Sequence, residues 1–154
     1  MPKKKVMEKG GGEKKLFLFL ITVFFIFALD RYTKLLSQFV SGCFIFCIKQ
    51  SVNYGAAFSL LSGFEWTRIL LIIVALLVLF FTAFFYFQDK NFNYFHIGLI
   101  LLFAGTLSNL FDRIYFGYVT DFLTLSFIPI PAFNLADVSN VIGVVILIWT
   151  LIKK

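Results

Sequence analysis

Charge is scarce in this sequence. Charged side chains make up 14% of its 154 residues, and it holds one histidine, two cysteines and three prolines. A soluble domain carries about 25% charged residues, so there is too little polar surface here to coat a globule. Lipid must therefore supply part of the solvent. The absence of a glycine-rich loop ending in Lys-Ser/Thr excludes a phosphate-binding loop of that kind. The cysteines, Cys43 and Cys47, have no further cysteine and no histidine nearby. They read as small apolar side chains on one face of a strand rather than as a disulfide or metal pair. No internal repeat is visible.

What is present in quantity is apolar mass: 60% of the chain is hydrophobic and 23 residues are phenylalanine. It is gathered into long runs over residues 16–36, 67–87, 94–114 and 134–152. Each approaches the ~20 residues that cross a hydrocarbon core of ~30 Å as a helix. The expected fold is an all-α membrane protein with four transmembrane helices, a small extracytoplasmic β-sheet and an outer loop. The expected organisation is a basic cytoplasmic tail over 1–15 and a single membrane domain over 16–154.

The net charge of +6 does not point to nucleic acid, because it is concentrated at the ends. Lys3, Lys4, Lys5, Lys9, Lys14 and Lys15 precede the first run, and Lys153 and Lys154 follow the last. Basic flanks mark the cytoplasmic side and suit an anionic lipid surface. An even number of spans then puts both termini and the link Gln88-Asp89-Lys90-Asn91 inside, with Ser37–Trp66 and Tyr115–Phe133 outside. Lys49 and Arg68 run against this rule without reversing it. The first run ends in Asp30-Arg31 rather than at a small-residue cleavage site, so it reads as a retained span. Gly10-Gly11-Gly12 make the preceding tail look mobile.

Phe39–Ala57 mixes alternating Phe, Ile and Val with Gly, Ser and Asn, which predicts short strands. Pro129 and Pro131 exclude a regular helix in the second outer connection and predict an extended turn. His96 follows the inner link, on the far side from the aspartates described next. That placement removes a Ser-His hydrolase and a His-Glu zinc protease.

Glu8, Glu13 and Asp89 fall inside and Glu65 in an outer loop. Asp30, Asp112, Asp121 and Asp137 all fall at the outer end of a span or just beyond it. A carboxylate in hydrocarbon costs about 2.5–3.5 kcal/mol on insertion scales, so each needs a partner or a task. Asp30 and Lys34 are spaced to pair on one helix face. Asp112 and Arg113 are adjacent, so each is expected to pair with another helix. Asp121 and Asp137 lack local basic partners. If the third and fourth spans are neighbours, these two carboxyls approach and cannot both ionise easily. Such a pair supplies base and acid together, for water activation and leaving-group protonation. A structural ion network and a proton or ion pathway fit the same residues. A divalent cation fits less well, because Lys34 and Arg113 already offset the negative charge.

The polar islands, taken together, resemble the lipoprotein signal peptidase (signal peptidase II) family. The matching stretches are Asp30-Arg31-Tyr32-Thr33-Lys34, Asn53-Tyr54-Gly55-Ala56-Ala57-Phe58-Ser59 and Asn109-Leu110-Phe111-Asp112-Arg113. Gly117-Tyr118-Val119-Thr120-Asp121-Phe122 and Phe133-Asn134-Leu135-Ala136-Asp137 follow, and then Gly143. Ala104-Gly105-Thr106-Leu107-Ser108 departs from the more glycine-rich run that the family shows before Asn109. The resemblance implies an intramembrane aspartic endopeptidase with Asp121 and Asp137 as the catalytic pair. Asn53, Gly55, Asn109, Asp112, Arg113 and Asn134 would position substrate or hold the pair, and Asp30 with Lys34 would brace the first span. It implies no metal and no cofactor. The implied substrate is a diacylglyceryl-modified prolipoprotein, cut before the lipidated cysteine in a bacterial cytoplasmic membrane. Globomycin-type inhibition is implied too. The competing reading from another class is a small proton- or ion-coupled transporter.

Overall fold

The computed structural model describes residues 10–56, 64, 66–89 and 92–153. Helix α1 spans Gly10–Leu36, α2 Thr67–Gln88, α3 Tyr94–Tyr115 and α4 Leu135–Ile152; strands are β1 Gly42–Cys43, β2 Phe46–Asn53 and β3 Val119–Leu125. All four helices are long and apolar enough to cross a membrane. The runs over 67–87, 94–114 and 134–152 match their helices closely. The first helix starts at Gly10, so Gly10-Gly11-Gly12, Lys14 and Lys15 are helical rather than part of a tail. The expected tail lysines Lys3, Lys4, Lys5 and Lys9, the link residues Lys90 and Asn91, Glu65, and Ala57-Phe58-Ser59 lie outside the described residues.

Helix α3 is the centre of the bundle and packs against the other three. Half of its apolar window is buried, against 17% for each of the others. The shared core joins Phe19 and Val23 of α1, Tyr86 of α2, and Leu99, Ile100 and Ala104 of α3. The remaining faces are apolar and outward, with Phe24 71% exposed and Phe80 63%. In a chain of this kind that surface faces lipid, where the hydrophobic effect does not drive helices together. Close approach must therefore come from small residues. Gly98 and Gly143 provide it: a Cβ on Gly143 would sit 2.8 Å from the Leu102 nitrogen and 2.9 Å from the Gly98 carbonyl.

The end of the bundle that carries His96 is closed by capping. The Asn93 backbone N–H donates to His96 Nδ1 (3.2 Å), which starts α3. Lys15 Nζ donates to the backbone carbonyls of Tyr86 and Asp89, and Tyr86 returns its hydroxyl to the Lys15 carbonyl at 2.8 Å. His96 lies about 20 Å along the α3 axis from Asn109, at 1.5 Å per residue.

At the other end the two long connections meet in one antiparallel sheet of order β1-β2-β3. Strands were expected only in the first connection. The second supplies β3, paired to β2 with Ser51 opposite Asp121 and Asn53 opposite Val119. Asp121 is thus on a strand rather than in a loop. Gly117, at φ 85°, makes the turn from α3 into β3, a conformation that Cβ-bearing residues resist. Pro129 and Pro131 do lie in non-helical chain, which folds back so that Phe133 bridges Leu123. The cysteines correct another expectation. They do not share one strand: Cys43 on β1 faces Cys47 on β2, and the two form a disulfide across the hairpin.

Replacing Gly143 with Val forces a side chain into backbone, an overpacking cost of about 1–3 kcal/mol. The expected result is a lower thermal midpoint of the detergent-solubilised protein, whereas an unchanged midpoint would show that α3 and α4 do not touch there.

Candidate active site

The polar residues at the sheet end form two connected layers. The inner layer is a quartet of charges in apolar surroundings, three of them buried and the fourth, Arg31, half-buried. Asp30 is 0% exposed and Asp112 1%. Lys34 Nζ reaches Asp30 Oδ2 at 2.7 Å and Asp112 Oδ2 at 2.8 Å. Arg31 bridges the same two acids, through Nη1 to Asp112 and Nη2 to Asp30 Oδ2 at 3.1 Å. Two cations thus balance two anions, the condition for keeping ionised groups out of water. The expected Asp30–Lys34 pair is there, and Asp112 does pair across to another helix.

The same carboxylates also bind neutral donors from elsewhere. Asp30 accepts from Ser108 Oγ at 2.6 Å and from the Ala136 backbone N–H at 3.0 Å. The second bond satisfies one of the free amides that begin α4. Asp112 Oδ2 accepts from the Thr120 backbone N–H at 3.5 Å. The quartet therefore ties α1, α3, β3 and the start of α4 together.

Lys34 links this layer to the outer one by donating to Asn109 Oδ1 at 3.3 Å. That contact fixes the Asn109 amide, whose Nδ2 donates to Asp137 Oδ1 at 2.7 Å. Asn134, the N-cap of α4, serves both remaining acids. Its Nδ2 donates to Asp121 Oδ1 at 2.6 Å, and its backbone N–H donates to Asp137 Oδ2 at 3.1 Å. Its Oδ1 accepts from the Asp137 N–H at 2.9 Å. Asn53 on β2 donates to Asp121 Oδ2 at 3.1 Å, and its own Oδ1 accepts from the Gly55 N–H at 2.9 Å.

Arg113 departs from expectation. It makes no ion pair to another helix among the described residues. It donates to the Gly55 carbonyl at 3.1 Å and to the Asn109 carbonyl at 3.3 Å. The carboxylate next to it, Asp112, is held by Arg31 and Lys34 of α1. Arg31 was not singled out from the sequence, although a guanidinium inside an apolar run is itself a mark of a buried partner.

Asp121 and Asp137 border one cavity of about 420 Å³, together with Asn53, Asn109, Arg113 and Asn140 and an apolar rim of Ile130, Pro131, Phe133 and Val141. Asp121 is 3% exposed. Burial first, and the neighbouring Asp137 carboxylate second, push its carboxyl up to about 6, against the opposing pull of Asn53, Asn134 and Lys34. The residues expected to act are thereby brought together. His96 is not among them.

The fold and this site define a multi-pass membrane protein with a polar cavity at one end of an apolar bundle. The family model for signal peptidase (SPase) II matches residues 22–153. The lipoprotein signal peptidase of Thermodesulfovibrio yellowstonii is 36% identical over 153 residues, 91% of this chain and 98% of that protein. That of Clostridium novyi is 33% identical over 147 residues, 88% of this chain and 97% of its own length. A solved bacterial membrane enzyme superposes with a TM-score of 0.80 at 28% identity, covering 88% of each chain. The chain belongs to the signal peptidase II family, and it is a peptidase of the cell membrane.

Two measurements follow from the site's electrostatics. Lys34→Met leaves two buried acids to a single guanidinium, a loss of about 3–5 kcal/mol. A thermal midpoint like that of the wild type would contradict the quartet. The Asp121 carboxyl holds its proton more tightly in the folded state, so its contribution is complete below pH 3.8 and lost as pH rises through about 6. Relative to Asp121→Asn, the wild type is expected to lose stability over that interval. Parallel stability curves would show the carboxyl to be unshifted.

Proposed function

We propose that this chain is an aspartic endopeptidase that removes signal peptides from diacylglyceryl-modified prolipoproteins, cutting before the lipidated cysteine. The observation that carries the reading is the attachment of both Asp121 and Asp137 to Asn134 at the wall of one cavity. The relatives' name, lipoprotein signal peptidase, supplies the substrate class.

In this reading the two carboxyls hold one proton between them. The ionised member removes a proton from water as its oxygen bonds to the scissile carbonyl carbon. The protonated member donates to the carbonyl oxygen. Collapse of the tetrahedral species breaks the C–N bond, and the amine leaves with a proton, so one water is consumed per bond cut. Asn53, Asn109 and Asn134 donate to the carboxyls and hold them in place before substrate arrives. Arg113 and Gly55 position the segment that follows β2, while Asp30, Lys34 and Asp112 hold the helices beneath. The mechanism needs neither metal nor cofactor.

The lysine-rich ends support an orientation with both termini in the cytoplasm and the aspartates at the outer face of a bacterial-type cytoplasmic membrane. The basic segment 1–15 would then face the cytoplasm and 16–154 form the peptidase domain. A substrate whose signal peptide is an apolar helix, anchored by its own lipid, brings the scissile bond to that interface. Membrane lipids and a globomycin-type inhibitor are the further partners of this reading. Transport would need polar groups along the whole bundle. Between Lys15 and Asp30 on α1, however, the side chains are apolar apart from Thr22.

Asp121→Asn and Asp137→Asn each keep shape and hydrogen-bonding size while removing the titrating group. Each is expected to leave the protein folded and to slow cleavage of a lipidated precursor by roughly 100- to 10,000-fold. Mass analysis of the precursor after incubation with purified variant reads the outcome. Normal processing by either one would refute the paired-carboxyl mechanism.

A further inference from the structure

Asn140 borders the same cavity, and the chemistry above gives it no part. It follows Asp137 by three residues on α4, which sets it about 4.5 Å further along the helix and away from the sheet end. An amide on a helix that is otherwise so apolar needs a reason. Half of that reason is visible. Its Oδ1 accepts from Thr106 Oγ1 of α3 at 3.3 Å. It also packs where α3 has no side chain, since a Cβ on Gly105 would lie 2.5 Å from it. The carbonyl side of the amide is thus held between the helices. Its Nδ2 has no hydrogen-bond partner among the described residues, although the other asparagines of the cavity wall, Asn53 and Asn109, donate theirs to Asp121 and Asp137.

A donor that is oriented, unpaired and set at a cavity wall selects for an acceptor on whatever fills the cavity. The acids occupy the sheet end, where the peptide bond would be cut. Deeper along α4 the wall is apolar, with Val141 beside Asn140. An acceptor arriving at that depth belongs to a group that is mostly hydrocarbon with an isolated carbonyl. We propose that Asn140 is a specificity-determining residue whose amide donates to an acyl-ester carbonyl of the substrate's diacylglyceryl group, with Thr106 and Gly105 holding the amide in that orientation. The inference rests on the proposed prolipoprotein substrate but adds a subsite for its lipid.

The test compares two synthetic precursors of identical sequence, one with a diacylglyceryl (ester) group and one with a dialkylglyceryl (ether) group that lacks the carbonyls. Wild-type protein is expected to show a KM about five- to tenfold lower for the ester, with similar kcat. Asn140→Leu should raise the ester KM to the ether value and leave kcat within about twofold, since uniform binding alone is removed. Thr106→Val should move the ester KM in the same direction by a smaller factor, and it decides the matter should Asn140→Leu fail to fold. Equal KM values for ester and ether in the wild type would overturn the subsite, as would an ester preference that survives in Asn140→Leu or, if that variant does not fold, is undiminished in Thr106→Val. In each of those outcomes cleavage itself persists. Failure of the wild type to cleave either precursor would instead bring down the peptidase reading together with the subsite.

Discussion

The structure depends on one arrangement of charge: Asp30, Lys34 and Asp112, buried inside an apolar bundle, with the half-buried Arg31 closing the cluster. None of the four could be kept there alone. An isolated ion loses its hydration and would neutralise or drag water inward. Two of each sign, with Ser108 and the Ala136 and Thr120 amides filling further acceptor sites, meet that requirement. Because those neutral donors come from α3, α4 and β3, satisfying the charges also fixes how the elements are arranged. Lipid offers helices little reason to associate in one geometry rather than another, and this cluster supplies it.

The orientation of the outer acids follows from the same cluster. Lys34 can only donate, so the Asn109 oxygen must face it and the Asn109 nitrogen must face Asp137. Asn134 contributes its nitrogen to the shared Asn109 oxygen at 3.3 Å, so its amide is constrained in turn and meets Asp121 as a donor. A chain of amides with one permitted sense therefore runs from a buried ammonium to two carboxyls. Each carboxyl is met by donors on both oxygens, a polar environment built before any ligand enters.

The helices were legible because the signal is length: a run of apolar residues long enough to cross hydrocarbon has few alternatives. Asp30–Lys34 was legible from helical spacing. The third strand was not, since Val119–Leu125 is a short mixed run whose partner lies in another connection, and pairing between distant segments leaves no local mark. Asp121, within that strand, was nonetheless singled out, because the resemblance to the family rests on identity and order rather than on secondary structure. The Cys43–Cys47 pairing was hidden for a related reason: alternation was read as one strand where the chain reverses in between. Asn140 was passed over among apolar neighbours, and the mark it does leave is an amide three residues beyond an acid on the same helix.

The two outer acids are carried by different kinds of support, and this bears on how a membrane protein brings two carboxyls to one cavity. Asp137 belongs to the first turn of α4, where its carboxyl and backbone close a reciprocal cap with Asn134. Asp121 belongs to a strand whose neighbour β2 supplies both Asn53, on its carboxyl, and Ser51, on its backbone carbonyl at 3.2 Å. Helix packing alone would place side chains only along the bundle, where lipid surrounds them. A strand crossing the bundle's end brings the second acid in from a direction that no helix offers. The sheet is thus as necessary to the geometry as the four spans, and the chain devotes both of its long connections to making it.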